Sequence, residues 1–261
     1  MTVPTGKDRL ILALDVPTHD EALRIVDDVA NVSFFKIGLE LFMAGDLFGF
    51  LERLQKRRRP GGGVFVDLKL GGDIGNTIIG FVNQSRRLGI RFITLVPADP
   101  IAITKHSIQA LRSARGPEGM PQVLMVPFFS SMGVEDLRAA GIDEPLDSYI
   151  VRRGRVLHDA GCDGLIVSGT AIRACRQAFG EAMTLVSPGI RPAWAGPDDH
   201  ARLTTPAEAI DMGADYLVVG RPIRTAPDPH DAAQRIIDEI DEALVRQGTC
   251  ANSPEPTPHA R

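Results

Sequence analysis

Val64-Phe65-Val66-Asp67-Leu68-Lys69-Leu70-Gly71-Gly72-Asp73-Ile74-Gly75-Asn76-Thr77 opens as an apolar run of strand type and sets an acid, a base and a second acid within seven positions. It then passes through glycines into a helical pattern running from Thr77 to Leu88. Side chains two apart on a strand point the same way, so Asp67 and Lys69 are expected on one face. A charged pair on the inward face of a buried strand is costly unless it is paired and put to use. At a strand end the plain alternative is a surface salt bridge. Asp73 follows Gly71-Gly72, where the backbone can bend freely.

The same strand-then-helix unit recurs on both sides of this stretch. Upstream lie a strand ending in Leu14-Asp15-Val16, a helix from Thr18 to Val29, the strand Phe34-Phe35-Lys36-Ile37-Gly38 and a helix from Ala44 to Arg59. Downstream, strands are expected over 91–96, 122–129, 163–168, 183–186 and 216–219, with helices over 101–113, 134–140, 148–160, 171–179, 206–212 and 229–246. Continuous apolar strands alternating with amphipathic helices imply a parallel sheet covered by helices. Eight such units in this length predict a closed (β/α)₈ TIM barrel, an α/β fold in a single domain over residues 1–247. An open doubly wound sheet is the other arrangement of such units. No G-x-G-x-x-G follows the first strand, which weakens a dinucleotide-binding version of it. Residues 248–261 are rich in Pro, Ser and Asn without periodicity and are expected to be a disordered tail.

Bulk properties narrow the function classes. The 261 residues are 44% hydrophobic and 24% charged, ordinary values for a globular domain. The net charge of -4 and the lack of a long basic block argue against a nucleic-acid surface. Arg57-Arg58-Arg59 ends a helical pattern, where cations suit the helix dipole. Cys162, Cys175 and Cys250 have no metal-ligand spacing and suit a reducing, cytoplasmic setting. No apolar run reaches membrane-spanning length, and the N-terminal residues lack a signal-peptide core, so no membrane partner is expected.

In such barrels the active site lies at the C-terminal ends of the strands. Asp15, Lys36, Asp67, Lys69, Ser130, Arg191 and Arg221 all fall at those predicted ends. Loops after the seventh and eighth strands commonly bind phosphate through backbone N–H groups. Pro188-Gly189-Ile190-Arg191 and Gly220-Arg221-Pro222 supply glycines and cations suited to that task.

At these residues the sequence resembles the orotidine 5'-phosphate decarboxylase family over nearly its whole length. The matching pieces are Leu14-Asp15, Phe35-Lys36-Ile37-Gly38, Asp67-Leu68-Lys69, Asp73-Ile74 with Asn76-Thr77, Ser187-Pro188-Gly189-Ile190-Arg191-Pro192 and Val219-Gly220-Arg221-Pro222-Ile223. The resemblance implies a homodimeric barrel with shared active sites. It would convert orotidine 5'-monophosphate to uridine 5'-monophosphate and carbon dioxide, the last step of de novo UMP synthesis, with no cofactor and no metal. By the same resemblance Asp15 and Lys36 hold ribose hydroxyls, Asp67 sits against the substrate carboxylate and Lys69 protonates the carbon that loses it. Asp73 and Thr77 reach the neighbouring subunit's site, Ser130 contacts the pyrimidine, and Arg191, Gly220 and Arg221 bind phosphate. Three departures accompany it. Leu70, Gly71 and Gly72 separate Lys69 from Asp73 where the family has two residues, which a bulge would absorb. His200 stands where a glutamine near the phosphate is usual, and Pro97 where a histidine is frequent.

The chemistry suits these residue types. Loss of carbon dioxide leaves a carbanion with no adjacent electron sink, which a fixed ammonium both stabilises and protonates. Lys36, Asp67, Lys69 and Asp73 alternate in sign, so each charge has a partner. Two other readings compete. One is a magnesium-dependent sugar-phosphate lyase of the same barrel group, such as 3-keto-L-gulonate 6-phosphate decarboxylase. That lyase needs an acid on strand two, where Lys36 stands. The other is a non-catalytic barrel that binds phosphate ligands.

Overall fold

In a computed structural model, residues 5–58, 61–71, 75–97, 101–114, 121–196 and 204–251 are described; for 75–78, 101–103, 111, 114 and 249–251 this is the backbone alone. Eight strands form a closed barrel: β1 (Leu10–Ala13), β2 (Phe34–Ile37), β3 (Gly63–Gly71), β4 (Ile90–Val96), β5 (Gln122–Met125), β6 (Gly164–Ile166), β7 (Thr184–Ser187) and β8 (Tyr216–Val219). Each strand pairs in parallel with the next, and β8 closes on β1 through Ile11 opposite Val218. Helices intervene between the strands, so the expected (β/α)₈ architecture is the one observed.

Period-two alternation sorts each strand into two cores. Leu10, Leu12 and Leu14 face outward into the cluster shared with the helices, while Ile11 and Ala13 face the barrel interior. Phe34, Phe65, Phe92, Leu124, Val186 and Val218 complete that interior. Each fully buried side chain of this size contributes roughly 1.5–3 kcal/mol of transfer free energy. The N-terminal end of the barrel is filled by edge-on aromatic packing of Phe34, Phe92 and Tyr216. The Arg91 guanidinium lies within 5.4 Å of all three ring centres and donates to the Tyr216 hydroxyl at 2.5 Å.

Helix starts follow their caps. The Thr18 hydroxyl accepts from the Glu21 N–H at the head of His19–Asp28, and Thr205 and Glu208 form a reciprocal capping box before Pro206–Asp211. Gly161, at φ 93°, ends Leu146–Ala160 in the left-handed conformation that favours glycine. Burial pushes the Cys175 thiol, packed on the inner face of Ala171–Phe179, up to about 12.

Several boundaries differ from expectation. The helix expected from Ala44 to Arg59 is instead Leu39–Phe42 followed by Leu47–Arg57. Gly45 at φ 129° breaks the run, and the Asp46 carboxylate caps the restart by accepting from the Gly49 N–H at 2.9 Å. Strands β1 and β5 stop short of Val16 and Phe129, as the chain leaves the ladder there. Single bonds from Leu14 N–H to the Lys36 carbonyl and from Val126 N–H to the Leu95 carbonyl carry the pairing one step further. The last helix, Pro229–Ala251, takes in the first residues of the expected tail. Extending an existing helix costs little, and the Gln247 side chain, donating to the Ile210 carbonyl at 2.6 Å, ties this end down. The rest of that tail lies outside the described residues. No described helix is long and apolar enough to cross a membrane.

Candidate active site

Moving toward the C-terminal ends of the strands, the inward positions change from apolar to polar. After Ile11 and Ala13 comes Asp15, after Phe34 comes Lys36, after Phe65 comes Asp67, and after Phe92 comes Thr94. The strand register sets Ala13 opposite Lys36, and Lys36 opposite Phe65. Period-two alternation therefore delivers four polar side chains to the mouth of a barrel whose floor is aromatic.

These groups form a chain of alternating charge. The Lys36 ammonium donates to Asp15 Oδ1 at 2.8 Å and lies 3.6 Å from Asp67 Oδ2. The Lys69 ammonium donates to both Asp67 oxygens at 3.0 Å. The Lys36 and Asp67 side chains are only 10% and 13% exposed, whereas Asp15 and Lys69 are 47% and 44% exposed. The two buried charges are thus each flanked by opposite charge, which offsets a desolvation cost of several kcal/mol per ion. The exposed ends of the chain are the parts a ligand can reach. Gly38 makes room for this arrangement: a Cβ there would stand 2.8 Å from Asp15 Oδ1 and 3.4 Å from Lys36 Nζ.

Asp67 and Lys69 meet as expected, but simple alternation is not the cause. Val66 pairs with Ile93 and Leu70 with Leu95, so Asp67, Leu68 and Lys69 together stand opposite Thr94 alone. Lys69 lies at φ 51° and is the one non-glycine among the described residues with positive φ. That backbone costs roughly 1–2 kcal/mol relative to a right-handed or extended one. With this backbone the Lys69 ammonium reaches both Asp67 oxygens.

A cavity of about 380 Å³ opens above these residues, and Asp15, Lys36, Asp67 and Lys69 line one part of it. Phe128, Phe129 and Val167 give it an apolar wall beside Ser130 and Ser168. Gly189, Gly220, Arg221 and Arg224 line it as well. Gly189 sits at φ 74°, a conformation that a glycine adopts without strain. The cavity lining thus combines paired charges, apolar side chains with hydroxyls, and backbone and guanidinium donors. Such a site suits an elongated ligand with an anionic end.

The structure assembles Asp15, Lys36, Asp67, Lys69, Ser130, Gly220 and Arg221 around this one cavity. Arg191 is not among the residues that line it; the Arg191 Nε donates to the Ala195 carbonyl at 3.2 Å and to the Gly196 carbonyl. Thr77 lies in the first turn of Gly75–Arg87 with its side chain outside the described atoms, and Asp73 and His200 lie outside the described residues. Three polar residues escape the sequence reading. Arg224 lines the cavity because Arg221–Arg224 is one helical turn, which places its ends near one another. Ser168 lies two positions beyond Ile166, and Thr94 two beyond Phe92; the period-two rule that selects Asp67 also selects both. Among the described residues, no group of three or more His, Cys, Asp or Glu side chains is placed to hold a metal ion.

The family described as "Orotidine 5'-phosphate decarboxylase / HUMPS family" matches residues 8–236. An orotidine 5'-phosphate decarboxylase of Heliobacterium modesticaldum is 38% identical over 246 residues, covering 93% of this chain and 99% of that protein. One of a Methylobacterium species is 42% identical over 250 residues, covering 93% and 100%. Among solved structures, the orotidine 5'-phosphate decarboxylase of Lactobacillus acidophilus superposes with a TM-score of 0.73 at 26% identity, over 89% of this chain and 99% of that one. That of Pyrococcus horikoshii gives 0.66 at 26% identity, over 88% and 98%.

Proposed function

The chain belongs to the orotidine 5'-phosphate decarboxylase / HUMPS family, and on that premise we propose that it is a cofactor-independent carboxy-lyase. Its substrate is orotidine 5'-monophosphate and its products are uridine 5'-monophosphate and carbon dioxide, completing de novo UMP synthesis in the cytoplasm. The observation that carries this reading is the Lys69 ammonium, held 3.0 Å from both Asp67 oxygens at one part of a cavity that Arg221 lines at another.

The nucleotide occupies the cavity with its phosphate at Gly220 and Arg221, to which the family resemblance adds Arg191 and His200. Asp15 and Lys36 take the ribose hydroxyls, and Ser130 contacts the pyrimidine. The substrate carboxylate then stands against Asp67. The bond from the ring to the carboxylate breaks, its electron pair stays on the ring carbon, and carbon dioxide leaves. Lys69 delivers its proton to that carbon and regains one from solvent. A fixed ammonium stabilises the developing charge without reorganising at the moment of reaction. The remote phosphate supplies binding energy that can be used to form the reactive geometry.

The active unit in this reading is a homodimer, with Asp73 and Thr77 reaching into the neighbouring subunit's site. Its support from the fold is the exposed apolar set Leu39, Met43 and Phe48, which follows β2 at the same end of the barrel as the cavity. Strand β2 carries Lys36 in place of the acid a magnesium-dependent relative would need, which favours the metal-free reading over that of a sugar-phosphate lyase. The test is direct: purified protein with orotidine 5'-monophosphate, followed by loss of pyrimidine absorbance, with and without chelator. Turnover unaffected by chelator is expected. No turnover would refute the reading, and turnover abolished by chelator would transfer the chain to the metal-dependent branch.

A further inference from the structure

Thr94 is 1% exposed and lies beside Asp67 on β4, at the single position that faces the three residues Asp67, Leu68 and Lys69. Its hydroxyl makes two contacts. The backbone N–H of Lys69 donates to Thr94 Oγ1 at 3.0 Å, and Thr94 Oγ1 lies 2.8 Å from Asp67 Oδ1. A hydroxyl has one hydrogen and two lone pairs, and an amide N–H can only donate. The oxygen therefore accepts from Lys69, and its single hydrogen is donated to Asp67.

We infer that Thr94 is a positioning residue that fixes the Asp67–Lys69 pair in its working geometry. The irregular stretch of β3 takes the Lys69 N–H out of the regular ladder, and Thr94 replaces the lost acceptor. The same hydroxyl donates to Asp67 Oδ1 at 2.8 Å and so holds the carboxylate. One side chain thus sets both the left-handed backbone of Lys69 and the plane of the carboxylate its ammonium contacts. The β-branch restricts the Thr94 χ1, so the hydroxyl is aimed before any ligand arrives. A residue that locks reactive groups in place acts on the chemical step, because small displacements of such groups cost far more in rate than in binding. Thr94 itself does not line the cavity.

This inference rests on the decarboxylase reading, and wild-type turnover of orotidine 5'-monophosphate tests that reading first. Thr94→Val keeps the shape and removes the hydroxyl, and Thr94→Ser keeps the hydroxyl. For Thr94→Val, kcat should fall about tenfold or more while KM stays within about threefold, since the phosphate and ribose contacts are untouched. Thr94→Ser should recover most of the loss. A Thr94→Val enzyme with kcat within about twofold of wild type overturns the inference, as does a Thr94→Ser enzyme impaired as severely as the valine variant. A readout without activity accompanies these. Amide hydrogen exchange at Lys69 should be slow in the wild type and accelerate in the valine variant, with neighbouring strand amides unchanged. Should Thr94→Val not fold, Thr94→Ala is read in its place. Fast exchange at Lys69 in the wild-type protein rejects the inference whatever the variants do.

Discussion

Lys69 holds its ammonium 3.0 Å from both carboxylate oxygens of Asp67, and it does so from a left-handed backbone at φ 51°. Non-glycine residues rarely accept that conformation, and where they do the surrounding structure has to enforce it. Here three residues of β3 oppose one of β4, and the Lys69 N–H is taken up by the Thr94 side chain. Local strain is thus exchanged for a fixed position of a cation at the cavity wall.

Removing that cation should stop the reaction and leave binding. In Lys69→Ala the proton donor and the nearest positive charge to the carbanion disappear together, so kcat should fall by at least about a thousandfold. Uridine 5'-monophosphate binding, measured calorimetrically, should persist because the phosphate contacts lie elsewhere. A variant with near-normal turnover would show that another group donates the proton.

Arg221→Ala tests the anionic end of the cavity. Both KM and kcat should suffer, with kcat/KM down by about tenfold to a thousandfold, since phosphate contacts help form the reactive site. Orotidine, lacking the phosphate, should be nearly indifferent to the change. Equal losses on nucleotide and nucleoside would mean that Arg221 does not hold phosphate.

The shared site is tested by mixing two inactive proteins. If Asp73 completes the charge network of the neighbouring subunit, a dimer of one Lys69→Ala and one Asp73→Ala subunit has one site with both defects and one with neither. Such mixed dimers should recover up to about half the wild-type activity when the sites act independently. Heterodimers verified by mass that remain inactive would place Asp73 in its own subunit's site and leave Lys69 as donor untouched.

Cys175 gives a pH dependence with a definite sign. Burial raises its thiol from an ordinary value near 9 to about 12. Above the ordinary value the unfolded chain releases the proton while the folded chain keeps it. The stabilisation is therefore fully present below pH 9 and is lost as pH rises toward about 12, at up to about 1.4 kcal/mol per pH unit. Denaturant midpoints of wild type and Cys175→Ala should converge over that window, because only the wild type carries the thiol. A gap that stays constant with pH would contradict the shift.

Asp15, Lys36 and Asp67 are legible in the sequence as members of one site, because a strand's alternation, followed upward from Ile11, Phe34 and Phe65, leads to them without ambiguity. Ser130, Gly220 and Arg221 are legible for a related reason, since they follow strand ends and the barrel gathers all strand ends on one face. Arg224 is not, because the single helical turn Arg221–Arg224 is too short to leave a periodic signal. Spacing places Arg191 at the right strand end but does not encode side-chain direction, and here its Nε donates to carbonyls of its own loop.

The sequence by itself determined the barrel, because eight apolar strands alternating with amphipathic helices have few ways to bury both faces of every strand, and a parallel closed sheet is one that satisfies all of them. It also determined that Asp15, Lys36 and Asp67 meet at the mouth, since period-two geometry is local and needs no partner. Only the tertiary structure decided how Asp67 and Lys69 meet. The irregularity in β3 exists relative to β4, and the hydroxyl that stabilises it comes from Thr94, 25 residues further along the chain. Ladder register and the acceptor for a displaced N–H are properties of two strands together, so neither is written in the stretch that carries the charges.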